Sequence, residues 1–475
     1  MKLHRVLVEA IPVLVKKIHQ EALPADVVLS LHFKKNPQWG RRDRNFVAEA
    51  VFDLIRYYRY YAALTDSKEN YWLHTSAWIY LKHKEIITFN SFPVVSGPET
   101  EHRAKQLALD PAIVWSYPEW MWTRGMKELG ETHWMREAEQ LNQPARVFLR
   151  VNTLKATPEK LQHSLFQEGI EIEPFADLQN TFELKKRSPI FKTKTFEKGW
   201  FEIQDVGSQL IVPFCGVKPK QTVVDVCAGA GGKTLHLAAL MNNTGQIFAG
   251  DVHEKKLAEL KKRARRAGAQ NIQIVLWDEK NTLNNALTNR ADVVLIDAPC
   301  SGTGVFKRHP ETKWRLDEAG LERLIQVQQN ILQNHAALLK KGGHLVYSTC
   351  SIFKSENEDQ VRRFISMRSD FILEAARRAA EETLLDRLTK IFVRGGDDVD
   401  DTADRRIQRV ACDRARCAAL GRAGASPCRS GALACVAAGG GTACAGCRVV
   451  DGLLPHRHDH ALAARLQCCG GRVPD

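Results

Sequence analysis

Between residues 199 and 366 the chain alternates short apolar runs with helical stretches, and this constrains its fold more than any other feature. The runs are TVVDVCA, GQIFAGDV, NIQIVLWD, DVVLIDAP and GGHLVYST. The intervening stretches include KTLHLAALM, EKKLAELKKRARRAG and ERLIQVQQNILQNHAALLKKG. Alternation at this spacing predicts an α/β domain built on a doubly wound parallel sheet. Such a sheet holds its chemistry at the C-terminal ends of its strands, so the residues that end each run are the candidates for function.

The first run leads into VVDVCAGAGGKT, a strand, a glycine turn and a helix start. Asp225 ends the strand; Gly229, Gly231 and Gly232 shape the turn; Lys233 and Thr234 open the helix. A phosphate-binding P-loop needs a glycine five residues before Gly232, and that position is Cys227. The dinucleotide fingerprint G-x-G-x-x-G fails as well, because Ala230 and Lys233 break its spacing. What remains is a glycine-rich turn with an acid, Asp251, ending the next strand ~20 residues on, where it could accept from ribose hydroxyls. A further acid, Asp278, ends the third run and could reach an adenine amino group. This layout suits S-adenosylmethionine, which has no phosphate to cradle.

The fourth and fifth runs end in sulfur. DVVLIDAPCSGTG presents Asp297 and then Cys300, and HLVYSTCS presents Cys350. Two strand-end cysteines, one beside an aspartate, point to a reaction that uses a thiolate. Only Cys215, Cys227, Cys300 and Cys350 precede residue 400, whereas the other eight cysteines lie between Cys412 and Cys469. For the body of the chain this pattern implies a reducing compartment with individually placed thiols.

The net charge of +13 suggests a polyanionic partner, with nucleic acid the first expectation. Residues 1 to about 140 read as helical. The N-terminal stretch lacks the uninterrupted apolar region of a signal peptide and reads as an amphipathic helix, so a cytoplasmic protein is expected. In RRDRNFVAEAVFDLIRYYRYYAAL, Phe46, Val47, Val51, Leu54 and Ile55 share one helix side. The tyrosines that follow, interleaved with Arg56 and Arg59, could stack on RNA bases, but packing between helices is the favoured reading. From Arg146, RVFLRVNTL, EIEPF and WFEIQD read as strands, and TPEKLQHSLFQEGI as a helix capped by Thr157. Beyond about Ser369 the composition breaks toward Arg, Ala and Cys without a usable period. CAGC and HRHDH in that tail fit no standard zinc ligand set, and no metal is expected.

With DVCAGAGGKT, Asp278, DAPCSGTG and YSTCS in order, the chain resembles the RsmB/Nop2/Sun family of RNA cytosine-C5 methyltransferases, in its bacterial RsmB-like branch. The likeness runs from about Ser116 (SYPEWMWTRGMKELG) through RVNTLK, FEIQDVGSQL and RHPETKW to Ile365. It implies a Rossmann-like methyltransferase domain over 199–375, preceded by a small α/β subdomain over 141–198 and a helical NusB-like RNA-binding domain over 1–140. The remainder, 376–475, is expected to be a low-complexity tail rather than a folded domain. Cofactor contacts are implied for Cys227, Ala228, Gly229, Ala230, Gly231, Gly232, Lys233, Asp251, Asp278 and Asp297.

The implied reaction begins with a thiolate adding to C6 of cytosine, which gives C5 the carbanion character it needs to take a methyl group. In the RNA enzymes of this family the attacking cysteine is the later one, here Cys350; Cys300 then assists release, and Asp297 contacts the ring. The implied partner is RNA, ribosomal RNA first, bound by a monomer; a tRNA enzyme and a catalytically weak RNA-binding ribosome-assembly factor are the alternatives. Arg308 and His309 are read evenly as RNA phosphate contacts or as caps of the next helix. Two departures stand out. Ala230 replaces a usual proline in the glycine turn, and nothing after Phe371 resembles the strands with which the family closes its sheet. The expectation is therefore a sheet without those strands and a tail, roughly 395–475, that does not pack.

Overall fold

The computed structural model describes residues 3–21, 23–277, 286–374 and 389–394. The tail beyond 394, with its expected lack of packing, lies outside the described residues.

The N-terminal third is helical because its apolar residues recur at helical spacing. Helix Arg5–Gln20 buries Leu7, Val8, Ile11, Leu14, Val15 and Ile18 along one stripe. Helix Arg41–Arg56 faces it with Val47, Ala50, Val51, Leu54 and Ile55, and helix Tyr71–His83 adds the fully buried Trp78. The tyrosines after Arg56 pack as the favoured reading has it: Tyr61 is buried, and Tyr58 lies edge-on to Trp314 with ring centroids 5.3 Å apart. Among the described residues no helix is long and apolar enough to cross a membrane.

A helical hairpin follows, Glu119–Leu129 and Glu131–Leu141, turned at Gly130. The two helices approach so closely at Gly125 that a Cβ there would lie 2.3 Å from the Trp134 ring. Tyr117, Met121 and Trp134 of this unit share a core with Phe306, Leu321, Ile352 and Phe353, residues that follow the two cysteine motifs.

Next comes an antiparallel four-stranded sheet in the order β2-β3-β1-β4, made of β1 (Phe148–Val151), β2 (Ile172–Pro174), β3 (Thr181–Leu184) and β4 (Phe201–Ile203). β4 lies past residue 198 and pairs with β1, setting Arg150 opposite Glu202.

The large sheet contains β5 (Thr222–Asp225), β6 (Gln246–Asp251), β7 (Ile272–Leu276), β8 (Ala291–Asp297), β9 (Leu339–Ser348), β10 (Phe371–Glu374) and β11 (Thr389–Arg394). Its order is β10-β11-β9-β8-β5-β6-β7. The five strands β5 to β9 are parallel, and β11 runs antiparallel between β9 and β10. Val223, Val224, Val293 to Ile296, Leu345 and Val346 are buried, as expected for a sheet covered on both faces.

The closing strands are a correction to the expectation that the sheet lacks them. β11 is the run Ile391-Phe392-Val393 between Lys390 and Arg394, β-branched and aromatic but too short to show a period in its Arg- and Ala-rich surroundings. The edge of β9 supplies what local sequence does not: Ile391, Phe392 and Val393 pair with Val346, Leu345 and His344.

The catalytic half is joined to the N-terminal helices through RHPETKW. Lys313 is fully buried, and its ammonium donates to Asn142 Oδ1 at 2.6 Å, to the Arg56 carbonyl at 3.1 Å and to the Ser116 carbonyl at 3.3 Å. It also sits 4.1 Å from the Tyr117 ring centroid. Burial, with Arg56 nearby, pushes its pKa well below the ordinary lysine range. Beside it Trp314 Nε1 donates to the Ile55 carbonyl at 2.7 Å. One side chain thus satisfies acceptors from three segments. Replacing it with methionine (Lys313→Met) keeps the bulk and strands three acceptors, each costing roughly 1–3 kcal/mol when left unmade. Urea unfolding of Lys313→Met should show a loss of about 3 kcal/mol or more; a loss under about 1 kcal/mol would mean the junction does not depend on this lysine.

Candidate active site

The glycine turn links β5 to helix Gly232–Leu240. Gly229 and Gly231 take positive φ of 54° and 86°. At Gly229 a Cβ would meet nothing within 4 Å, so the turn opens there, whereas at Gly231 it would strike Leu260 at 2.7 Å. Asp251, at the end of β6, holds the turn: Oδ2 accepts from Gly229 N at 2.9 Å and Oδ1 from His253 N at 2.8 Å. Cys227, Ala228, Gly229, Ala230, Gly231, Gly232 and Lys233 therefore form one continuous lip, with Asp251 beneath it. Asp278 lies outside the described residues. Its neighbour Trp277 packs where a Cβ on Gly250 would sit and donates from Nε1 to the Val226 carbonyl at 2.7 Å.

Lys233 does not project freely. Its Nζ is 2.6 Å from Asp297 Oδ2, and Ser348 Oγ donates to Asp297 Oδ1 at 3.1 Å. Burial by itself would lower the lysine's pKa, but the neighbouring carboxylate Asp297 outweighs it and the pKa rises. The polar groups around this opening are therefore carboxylates at Asp251 and Asp297 and a lysine already paired. That set repels a phosphate and fits a ligand carrying positive charge, such as the ammonium and sulfonium of S-adenosylmethionine.

Asp225 lies under the turn, fully buried, with Oδ2 accepting from Thr234 Oγ1 at 2.7 Å and Oδ1 without a partner among the described residues. Burial pushes its pKa from 3.8 up to about 7. An acid with a raised native pKa keeps a proton that the unfolded chain gives up, so its stabilising contribution is present below pH 3.8 and lost as pH rises through about 7. Asp225→Asn retains the acceptor for Thr234 and removes the titration. Denaturant midpoints should therefore move in favour of the variant, relative to the parent, as pH rises from 4.5 to 7.5; a constant difference would place the titration elsewhere.

The two sulfurs meet. β8 and β9 pair in parallel with Asp297 opposite Ser348, which sets the residues that follow side by side. Cys300 Sγ and Cys350 Sγ are 3.1 Å apart, and Cys350 N donates to Cys300 Sγ at 3.3 Å. Cys350 is exposed and Cys300 half-buried. The hydrogen bond with Cys350, and burial after it, raise the Cys300 thiol well above its ordinary range.

A buried polar network supports both loops. Glu356, fully buried, accepts from Ser301 N at 2.8 Å, Ser301 Oγ at 2.5 Å and Gln328 Nε2 at 2.9 Å. Gln328 also donates to the Pro299 carbonyl at 3.0 Å. Thr303 Oγ1 accepts from Ile352 N at 2.9 Å, and Gly304 N donates to the Cys350 carbonyl at 2.8 Å. A Cβ on Gly304 would lie 2.7 Å from that carbonyl, which explains the glycine. Asn357 accepts from Thr349 Oγ1 and donates to the Ser351 carbonyl. Sequence reasoning missed Glu356, Gln328 and Asn357; the available signal was an acid in SIFKSEN, just past the TC motif.

His309 stands at the N-cap of the short 3-10 helix Pro310–Trp314, without a side-chain capping bond, and both side chains have acidic partners. Arg308 pairs with Asp205, and His309 Nδ1 lies 3.5 Å from Glu311, whose hydrogen bond raises the histidine's pKa.

A sheet of this order beside a small antiparallel domain defines a Rossmann-like methyltransferase architecture. Residues 215–389 match the family described as 16S rRNA methyltransferase RsmB/F, and residues 117–191 match its RsmF/B-like ferredoxin-like domain. Residues 117–389 thus carry the methyltransferase and ferredoxin-like domains of the RsmB/F family. The probable ribosomal RNA small subunit methyltransferase B of Synechocystis sp. is 35% identical over 263 residues, covering 54% of this chain and 58% of that protein. The protein of the same description from Bacillus subtilis is 35% identical over 260 residues, covering 54% and 57%. The chain thus spans little more than half the length of these relatives. The crystal structure of PH0851 superposes with a TM-score of 0.67 at 23% identity, covering 82% of this chain and 98% of that one, and shows the same fold.

Proposed function

We propose that this chain methylates C5 of a cytosine in RNA, with ribosomal RNA of the small subunit as the substrate class, using S-adenosylmethionine. The observation that carries the reading is the contact between Cys300 and Cys350 just past the ends of adjacent parallel strands, where Asp297 ends one of them. The relatives' description as small-subunit rRNA methyltransferases supports the substrate class.

Residues 227–233 and Asp251 would hold the cofactor, with Asp278 a further contact expected from its place in the sequence. Bound there, S-adenosylmethionine supplies an electrophilic methyl group. Cys350, the exposed sulfur, adds to C6 of the base, and the ring electrons move toward C5 and N3. Asp297, with the Lys233 ammonium held against it, is the group assigned to the ring as charge builds there during sulfur addition. After C5 is methylated a solvent base takes its proton, the C–H electron pair re-forms the C5–C6 double bond, and the Cys350–C6 bond breaks with its electrons left on sulfur as thiolate. Cys300, touching Cys350 and held protonated by its surroundings, assists that release.

The test is transfer of labelled methyl groups to a small-subunit rRNA transcript, with bisulfite reading of the product. Cys350→Ala should lower the rate by a factor of roughly 10³ or more, the loss expected when a nucleophile is removed. Cys300→Ala should instead accumulate a covalent RNA adduct on denaturing gels. Adduct formation by Cys350→Ala but not by Cys300→Ala would reverse the two roles.

A further inference from the structure

The small antiparallel sheet is linked to the glycine turn through two arginines, one buried and one half-buried. On β4, Glu202 is only 3% exposed, yet its carboxylate binds two arginines of helix Glu254–Ala267. Arg263 lies at 2.9 Å from Oε2 and Arg266 at 2.5 Å from Oε1. Arg263 spends its remaining fork on the turn itself: Nη1 donates to the Ala230 carbonyl at 2.8 Å.

A second arm starts on the neighbouring strand. Arg150 of β1, 3% exposed, donates from Nε to Gln204 Oε1 at 2.7 Å and reaches the Gly232 carbonyl at 3.5 Å. Burial pushes its pKa down to about 10 against the pull of Glu202. Gln204 is in turn tied to Ser208 Oγ, and its carbonyl accepts from Gln209. Arg150 is buried and Arg263 half-buried, and each divides its guanidinium between a side-chain oxygen beside the small sheet and a turn carbonyl, so the two arms are fixed at both ends. Both end on carbonyls of the segment 230–232, one on each side of Gly231, whose positive φ gives the turn its shape.

We infer that Arg150 and Arg263, anchored on Gln204 and Glu202 of the small sheet, are positioning residues that fix the path of the glycine turn and so set its affinity for S-adenosylmethionine. The inference rests on the reading of that turn as the cofactor site. It gives the small domain a task at the catalytic centre that is separate from any contact with RNA. The two carbonyls are held by fixed donors, and a turn released from them would sample conformations that cannot bind.

The experiment uses the full chain with Arg263→Met, Arg263→Lys and Glu202→Gln. Hydrogen exchange of the peptide covering 226–232, without ligand, should speed up at least tenfold in Arg263→Met while strands β8 and β9 keep the parent's protection. S-adenosylmethionine affinity by calorimetry should fall about tenfold, or roughly 1.4 kcal/mol, and Arg263→Lys should recover part of both. Affinity for an rRNA transcript should stay within twofold. Unchanged exchange in the turn, or faster exchange spread evenly over the large sheet, would overturn the positioning role. If the parent chain itself binds no S-adenosylmethionine, the proposed function fails, while the exchange measurement still decides whether the arginines hold the turn.

Discussion

The site depends on the pairing of β8 with β9. In a parallel pair the C-terminal ends of both strands face the same way, so a register that sets Asp297 opposite Ser348 also sets the following residues together. β8 is followed by two residues, Ala298 and Pro299, before Cys300, and β9 by one, Thr349, before Cys350. That offset lets the two sulfurs touch across the gap between loops. A slip of one residue would turn each side chain of the shifted strand to the other face and separate them. The buried valines, leucines and isoleucines of β8 and β9 oppose such a slip, since both faces of these strands are covered.

What hydrophobic burial fixes in the strands, a polar network fixes in the loops. Glu356 is satisfied by Ser301 and Gln328, so its position depends on hydrogen-bond geometry. The helical hairpin contributes from outside, packing Trp134 in one core with Phe306 and Phe353. Lys313 belongs to the same logic. A buried lysine beside another buried cation, Arg56, is tolerated because helix and loop carbonyls, carrying partial negative charge, accept from it.

Much of this was legible in the sequence, and the reason is periodicity. The five strands, the turn at Gly229 to Gly232 and the positions of Asp251, Asp297, Cys300 and Cys350 follow from local patterns that the sheet then brings together. The residues missed act over long separations. Glu356 meets Ser301 across 55 positions, Arg263 meets Glu202 across 61, and Lys313 meets Arg56 across 257. Nothing within a short window marks such a residue as buried, because Arg, Glu and Lys default to the surface. The closing strand Thr389–Arg394 failed for the opposite reason. Its local pattern is weak, and the edge of β9 decides it. Lys233 was legible as a resident of the site, but its pairing with Asp297 was not.

The central claim is that the register of β8 and β9 makes Cys350 the attacking sulfur and Cys300 its assistant. An RNA carrying 5-fluorocytidine at the target position tests it most directly, because fluorine at C5 cannot leave as a proton does and the enzyme stays joined to the base after methyl transfer. Proteolysis and mass spectrometry of that adduct should place the nucleotide on the peptide containing Cys350, and only when S-adenosylmethionine is present. A nucleotide on the peptide containing Cys300 would contradict the account.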